Sequence, residues 1–372
     1  MGLRRMLWNY TGSTHDDRTY FTPAERFYHV DHGGTPPSLP PESWRLRLSG
    51  RVARPLEITY TDVLARIETY GITRYAKCLQ CLRDPLGDDV EKRWYASSGL
   101  WGGLPLAVFL EEAGVLWGST RINYGGRDPS GFFSSIPLES AMGAREGLPV
   151  LLVTELNGRP LPHLRGGPVR MLVPDMLGFK SIKWIDWICV TDANIPNGWY
   201  ERNRGVILPS AHKDPALKTT ARIAPVPSVC PEHPMHPRLG HFPACQPLGF
   251  RGYAVAGSRG LAGVRFQVRE FHPIGPGAVI EDRMAGFEPP GAWGLDVPFP
   301  PGVLHFSGET PMRWPLPFGW VYWHAWFGPL SPGKYVFEVW ALDAEGHEQP
   351  DPDPNEHTGS ARREEVVFHV AW

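Results

Sequence analysis

The stretch KCLQCLRDPLGDD, Lys77–Asp89, places Cys78 and Cys81 in a lone C-x-x-C. Taken by itself the motif has three readings: a redox dithiol, half of a zinc site, or one working cysteine beside a bystander. A structural zinc needs four ligands, and the sequence has no second C-x-x-C. A thioredoxin-like dithiol belongs at the start of a helix that follows a strand. The charged loop RDPLGDD follows here instead. What remains is a single thiolate in a cleft, nucleophilic or metal-bound, set against two ordinary buried cysteines, since free cysteine is among the most buried residue types.

Around that pair, the chain of 372 residues is too long for one ordinary domain and about right for two. Its 37 basic and 39 acidic residues leave a formal charge of −2. That balance creates no general field for nucleic acid or an anionic membrane surface, so neither is an expected partner. The 41 glycines and 40 prolines argue against long helices and suit short strands joined by turns. The 15 tryptophans argue against disorder. No run reaches the roughly 18 apolar residues of a membrane helix. Met1–Tyr10, MGLRRMLWNY, has a basic pair but no apolar stretch of a signal peptide after it. The expectation is a cytoplasmic chain, with periplasmic export left open. Five cysteines, an odd and sparse set, do not make a disulfide scaffold.

Periodicity gives the organisation. WRLRLSGRV (Trp44–Val52) alternates like a half-buried strand. Tyr60-Thr61-Asp62 followed by VLARIETY reads as a capped short helix. LPLAVFLEEAGV (Leu104–Val115) is a second helix, with Leu106, Phe109, Leu110 and Ala113 on one face and Gly114 as its stop. LPVLLVTEL, VRMLVP and SIKWIDWICVTD read as buried strands. Residues 193–248 are rich in proline and histidine and read as a linker or irregular layer. From Phe250 on, FRGYAVAG, GVRFQVREF, PMRWPLP, YWHAWF, GKYVFEVWALD and EEVVFHVAW read as an antiparallel β-sandwich. The expected plan is an α+β domain over residues 1–215 and an all-β, immunoglobulin-like sandwich over residues 216–372.

Cys81 and Asp84, with Trp101 opening GLWGGLPLAVFLEEAGV, resemble the sulfite oxidase family of molybdenum enzymes. There a cysteine followed three residues later by Asn ligates the metal. Glu155–Asp192, ELNGRPLPHLRGGPVRMLVPDMLGFKSIKWIDWICVTD, is similar to a second family stretch, and Phe27–Pro37, FYHVDHGGTPP, to a third. GFRGYAVAG, GVRFQV and YVFEVWALDAEGHEQP are similar to its dimerisation domain. The resemblance spans about residues 27–370.

It implies a molybdenum–pterin (molybdopterin) cofactor with Cys81 as the metal ligand and Cys78 as the bystander. It implies Trp101, Arg83 and Arg165 around the reacting centre. The cofactor-binding positions it implies are Asp31, His32, Asp84, Arg165, Arg170, Lys180, Ser181 and Lys183. A soft thiolate suits a metal already held by sulfur, and cations suit a phosphate-bearing tail. The departures concern the substrate. The family's substrate-binding arginine falls on Val30 and its neighbouring Asn on Asp31. A second arginine falls on Leu86, the active-site tyrosine on Thr154, and a histidine on Arg165. Arg83 and Arg165 are the cations available to replace the lost charge.

The expected function is oxygen-atom transfer to or from a small oxo compound, sulfite or another. Electrons then pass to or from an external carrier of the cytochrome class, because neither C-x-x-C-H nor G-x-G-x-x-G occurs. A homodimer is the expected assembly. The competing readings are a non-catalytic pterin-binding relative and a thiol redox protein using Cys78 and Cys81. A further cluster, Cys230, His233, His236, His241 and Cys245, reads as an ordinary loop first, with a metal site or a Cys230–Cys245 disulfide as alternatives.

Overall fold

The computed structural model describes residues 9–11, 19–31, 33–81, 95–143, 147–194, 198, 217, 219–223, 241–288, 290–349 and 363–372. The described chain is mostly β, with short helices. Residues up to Thr191 build two main sheets. One runs Arg159–Pro160, Leu151–Leu156, Ala96–Pro105, Thr73–Gln80, with Arg170–Leu172 also pairing on Leu151–Leu156. The other runs Leu56–Thr59, Arg45–Gly50, Ile185–Thr191, Arg121–Gly126, Phe133–Pro137. The alternation expected around Arg45–Gly50 is real: Leu46 and Leu48 are buried while Arg45 and Arg47 are exposed.

The helix Tyr60–Tyr70 starts where the sequence places it, but its cap is Thr59, one residue before the run Tyr60-Thr61-Asp62. Thr59 accepts the Asp62 amide and the Asp62 carboxylate accepts the Thr59 amide, a reciprocal cap. The second helix is shorter than its periodicity, Ala107–Ala113, because Leu104 and Pro105 complete the preceding strand. Gly114 stops it with φ 66°, a left-handed conformation that glycine adopts without strain. One apolar cluster joins both helices to the sheets through Leu46, Ile58, Val63, Phe109, Leu110, Leu152 and Ile188.

Two further sheets come from residues after Thr220. One runs Thr220–Ile223, Leu248–Val255, Val321–Phe327, Gly286–Glu288; the other runs His241–Pro243, Glu364–Ala371, Gly333–Asp343, Leu261–Glu270, Val279–Met284. They share a core in which Phe337 stacks on Phe250 at 4.4 Å and on Phe266 at 5.6 Å. Two sequence expectations change here. Of PMRWPLP only Pro311 joins a strand, the two-residue Thr310–Pro311, because proline carries no amide to extend a ladder. The stretch 193–248, read as irregular, contains the strand Thr220–Ile223, which pairs with Leu248–Val255 and is buried throughout.

The strand Gly333–Asp343 is apolar on both faces, as its sequence reads. Tyr335, Phe337, Val339 and Ala341 enter the shared core. On the opposite face the indole of Trp340 lies beneath two guanidinium groups, Arg363 at 4.4 Å and Arg265 at 5.7 Å. That face is thus covered by arginines of its own chain.

The two halves are tied through a third apolar cluster. Tyr20, Phe21, Ala76, Cys78 and Leu100 from the first half pack with Tyr253, Val255, Trp320 and Tyr322 from the second. Backbone bonds reinforce it: the Cys78 amide donates to the Phe318 carbonyl at 2.8 Å, and the Leu304 amide to the Arg74 carbonyl at 2.8 Å. Among the described residues no helix is long and apolar enough to cross a membrane.

Candidate active site

The strand Thr73–Gln80 separates the two cysteines by its period of two. Ala76 and Cys78 face the cluster between the halves, and Cys78 is fully buried there. Tyr75 and Leu79 face the opposite side, with Trp101, Phe27 and Leu151. Cys81 lies just past the strand, three residues after Cys78, and lines a cleft on that opposite side. Its amide donates to the Tyr95 carbonyl at 2.8 Å. Neither cysteine is in a disulfide, and the two are differently placed, one buried between the halves and one on the cleft.

The cleft gathers Cys81, Arg165, Arg170, Ser181 and Lys183 from separate stretches of the chain. Arg170 donates to the Arg165 carbonyl at 2.9 Å and to the Ser181 carbonyl at 2.6 Å. Its guanidinium lies over the Trp101 indole at 5.1 Å. Trp101 itself is fully buried and donates to the Lys77 carbonyl at 3.1 Å, so it acts from behind Arg170. Burial pulls Arg170 down to about 10, the nearby Tyr28 opposing and Arg165 adding to the shift. Its Nε is buried without a partner among the described residues.

Lys183 donates to the Val30 carbonyl at 3.0 Å and to the Asp31 carboxylate, above the Trp184 ring at 4.4 Å. Burial draws it down to about 8 against the opposing charge of Asp31. Asp31 is buried one layer behind the cleft. Burial alone would raise its carboxyl. The hydrogen bond from His29 at 2.6 Å, the charge and bond of Lys183, and the Thr35 hydroxyl at 2.6 Å outweigh it. They hold Asp31 well below the usual carboxylate range.

Arg165 spends three of its five N–H directions on carbonyls of the segment that walls the cleft: Ala24 at 2.7 Å, Glu25 at 3.2 Å and Tyr28 at 3.5 Å. It contributes charge to the cleft and staples that wall in place. Ser181 accepts the Val173 amide through its hydroxyl at 3.1 Å, a structural bond. Lys180 is not brought to the cleft. Its ammonium is fully buried and donates to the Ser135 carbonyl at 2.7 Å, on the Phe133–Pro137 strand.

His32, Arg83 and Asp84 lie outside the described residues, as do Leu86, Cys230, His233 and His236 and the side chain of His241. Cys245 is exposed. Among the described residues no group of three or more His, Cys, Asp or Glu is placed to hold a metal.

Sequence reasoning missed several groups here. Tyr28, His29, Phe132, Phe179 and Leu164 line the cleft, and Val30 joins them. Tyr28 and His29 lie in the quoted FYHVDH, but the segment is too irregular for its side-chain directions to be read. Lys77 is the other omission. It is fully buried beneath Trp101, donates to the carbonyls of Pro174 and Met176, and burial lowers it to about 8.

The donor set fits the group that the resemblance implies. Cys81 is a thiolate source at the cleft, and Arg170, which lines the same cleft, has a buried orphaned Nε, a donor awaiting an acceptor.

Residues 32–199 match the oxidoreductase molybdopterin binding domain. The chain is 28% identical over 254 residues to sulfite oxidase of Gallus gallus, covering 64% of this chain and 54% of that one. It is 28% identical over 207 residues to the NADPH nitrate reductase of Aspergillus niger, covering 52% of this chain and 23% of that one. The chain thus spans about half the length of the sulfite oxidases it matches. The crystal structure of the sulfane dehydrogenase SoxCD from Paracoccus pantotrophus shares the fold, with a TM-score of 0.66 at 19% identity over 95% of this chain and 84% of that one. The chain belongs to the sulfite oxidase family of molybdopterin-dependent oxidoreductases, and its cofactor is the molybdenum–pterin.

Proposed function

We propose that the chain transfers an oxygen atom to or from a small oxo compound and exchanges electrons with an external carrier of the cytochrome class. The observation that carries this reading is the cleft itself, where Cys81 meets Arg165, Arg170 and Lys183. Bound there, the molybdenum–pterin would supply the oxygen-atom and electron chemistry. Cys81 would hold the metal, and Arg170 and Lys183 would hold the anionic parts of the cofactor. Asp31 would fix the Lys183 ammonium, Trp101 would carry the Arg170 guanidinium on its face, and Arg165 would keep the 24–28 wall closed. The thiol redox alternative finds no support in the placement of Cys78, which is buried away from Cys81.

The wall argues for a substrate less anionic than sulfite. Val30 lines the cleft together with Leu79, Phe132 and Phe179, and most of the Arg165 fork is turned to carbonyls. A charge-assisted bond from arginine contributes roughly 1.5–3 kcal/mol to anion binding. One absent bond then weakens sulfite binding by about tenfold or more. Purified protein is expected to contain about one molybdenum per chain. Its kcat/KM is expected to be higher for a neutral sulfoxide than for sulfite, measured with an artificial electron carrier. Absence of molybdenum from a folded chain would count against an enzyme. Efficient turnover at micromolar sulfite would count against the retuned cleft.

The same reading includes a boundary near residue 215, an immunoglobulin-like second domain and a homodimer built through it. The support is the pair of facing sheets formed after Thr220.

A further inference from the structure

We propose that His29 is the proton-transfer residue of the cleft, oriented by Asp31; this rests on the functional reading above. The two residues stand two apart on the strand His29–Asp31, so their side chains share a face. His29 lines the same cleft as Cys81 and is 13% exposed, so its ring meets the cleft without being sealed from water. Its Nε2 lies 2.6 Å from Oδ2 of Asp31. That carboxylate is fixed from two further directions. The Thr35 hydroxyl donates to the same oxygen at 2.6 Å, and the Lys183 ammonium donates to Oδ1. A buried carboxylate with three such donors stays ionised, and an ionised carboxylate only accepts. The proton of neutral His29 is therefore on Nε2, and Nδ1 carries the lone pair. An imidazole held in one tautomer by a buried carboxylate is built to take a proton and give it back.

The functional reading contains a step that needs such a group. Reducing a sulfoxide to a sulfide breaks the S–O bond and takes two electrons from the external carrier. The departing oxygen gains two protons and leaves as water. Protonated His29 gives one proton to that oxygen and is recharged from solvent for the next. In the opposite direction water loses both protons, and His29 accepts them in turn. The other titratable groups facing the cleft are committed elsewhere. Arg165 holds the 24–28 carbonyls, and Arg170, brought down only to about 10, holds those of Arg165 and Ser181. Asp128 accepts from the Ser130 amide at 2.9 Å and hydroxyl at 2.6 Å. Lys183 comes nearest, drawn down to about 8, but its ammonium is bonded to Val30 and Asp31. Cys81 is the metal ligand of the same reading, and a phenol such as Tyr28 ordinarily titrates at about 10. Thr11, which pairs with His29 across the strands, has no titratable group.

The test uses the molybdenum-loaded full chain with His29→Gln and His29→Ala. Glutamine still donates to Asp31 but does not titrate, so His29→Gln should keep the parent's molybdenum content. Its kcat for a sulfoxide should fall about a hundredfold or more, the contribution of a positioned acid or base. Its pH profile should lack an inflection that the parent shows. In His29→Ala, added imidazoles should restore turnover in step with their basicity, which the filling of a space does not produce. Independently of turnover, histidine-selective NMR should show a parent ring, absent from His29→Gln, whose neutral form is protonated on Nε2. A parent-like kcat and pH profile in loaded His29→Gln overturns the proton role, as does rescue indifferent to basicity. Loss of molybdenum from His29→Gln overturns it in favour of a structural role. The opposite tautomer overturns orientation by Asp31. A folded parent without molybdenum overturns the functional reading, and the proton role with it, while the tautomer still reports on the His29–Asp31 pair.

Discussion

Cys81→Ser is expected to abolish turnover and lower bound molybdenum while most of the pterin stays on the chain. Serine offers a hard oxygen where a soft sulfur is needed. Changes to groups that merely support metal ligands cost about 10–100-fold in activity or affinity, so loss of the ligand itself should exceed ~100-fold. Arg170 and Lys183 lie elsewhere along the cleft and are unaltered, which is why the pterin should remain. Cys78→Ser is the control. Cys78 is buried between the two halves, so its replacement should lower stability and leave molybdenum in place. Molybdenum and pterin per chain, measured beside steady-state rates, decide the matter. If Cys78→Ser abolishes activity and Cys81→Ser does not, the wrong cysteine has been assigned.

Asp31→Asn should be among the most destabilising single changes in the chain. It keeps the shape of the side chain but strips the counter-charge from Lys183, whose ammonium is bonded to that carboxylate at the back of the cleft. Removing one member of a buried ion pair costs about 3–5 kcal/mol. The pH dependence has a definite sign. The folded carboxyl sits below its ordinary value of 3.8, so its contribution to stability is fully present above that value and is lost as pH falls through the folded one. Lys183 works at the other end. Its folded value of about 8 is below the ordinary 10.5, so its burial opposes folding at neutral pH, and stability should rise as pH climbs between the two. Denaturant unfolding from pH 2 to 7 should show acid destabilisation in the parent that is weaker in Asp31→Asn. Identical profiles would show that Asp31 carries no such charge.

The amino-acid sequence by itself determined the elements whose pattern is local. The alternation around Arg45–Gly50, the short helix starting at Tyr60 and the glycine stop after Ala107–Ala113 each depend on a few neighbouring residues, and each is in the structure, although the helix cap falls on Thr59, just outside the run Tyr60-Thr61-Asp62. The resemblance to the sulfite oxidase family implied Cys81, Arg165, Arg170 and Lys183 as one site, and the structure lines one cleft with them.

Tertiary structure decided what those residues do. A cation's work depends on which acceptors surround it, and these come from distant stretches. Arg165 looked like a replacement for lost substrate-binding charge, yet the carbonyls of Ala24, Glu25 and Tyr28 engage most of its fork. Lys180 and Lys183, three residues apart, looked equivalent, yet a 3-10 turn over Gly178–Lys180 sends the first to Ser135 and the chain beyond it carries the second to Asp31. The strands Thr220–Ile223 and Val279–Met284 escaped the sequence because an edge strand is defined by its neighbour, and hydrogen-bonding partners far along the chain leave no periodic mark. Tyr28 escaped for the same reason, since the space that admits its hydroxyl is made by a glycine 150 positions away.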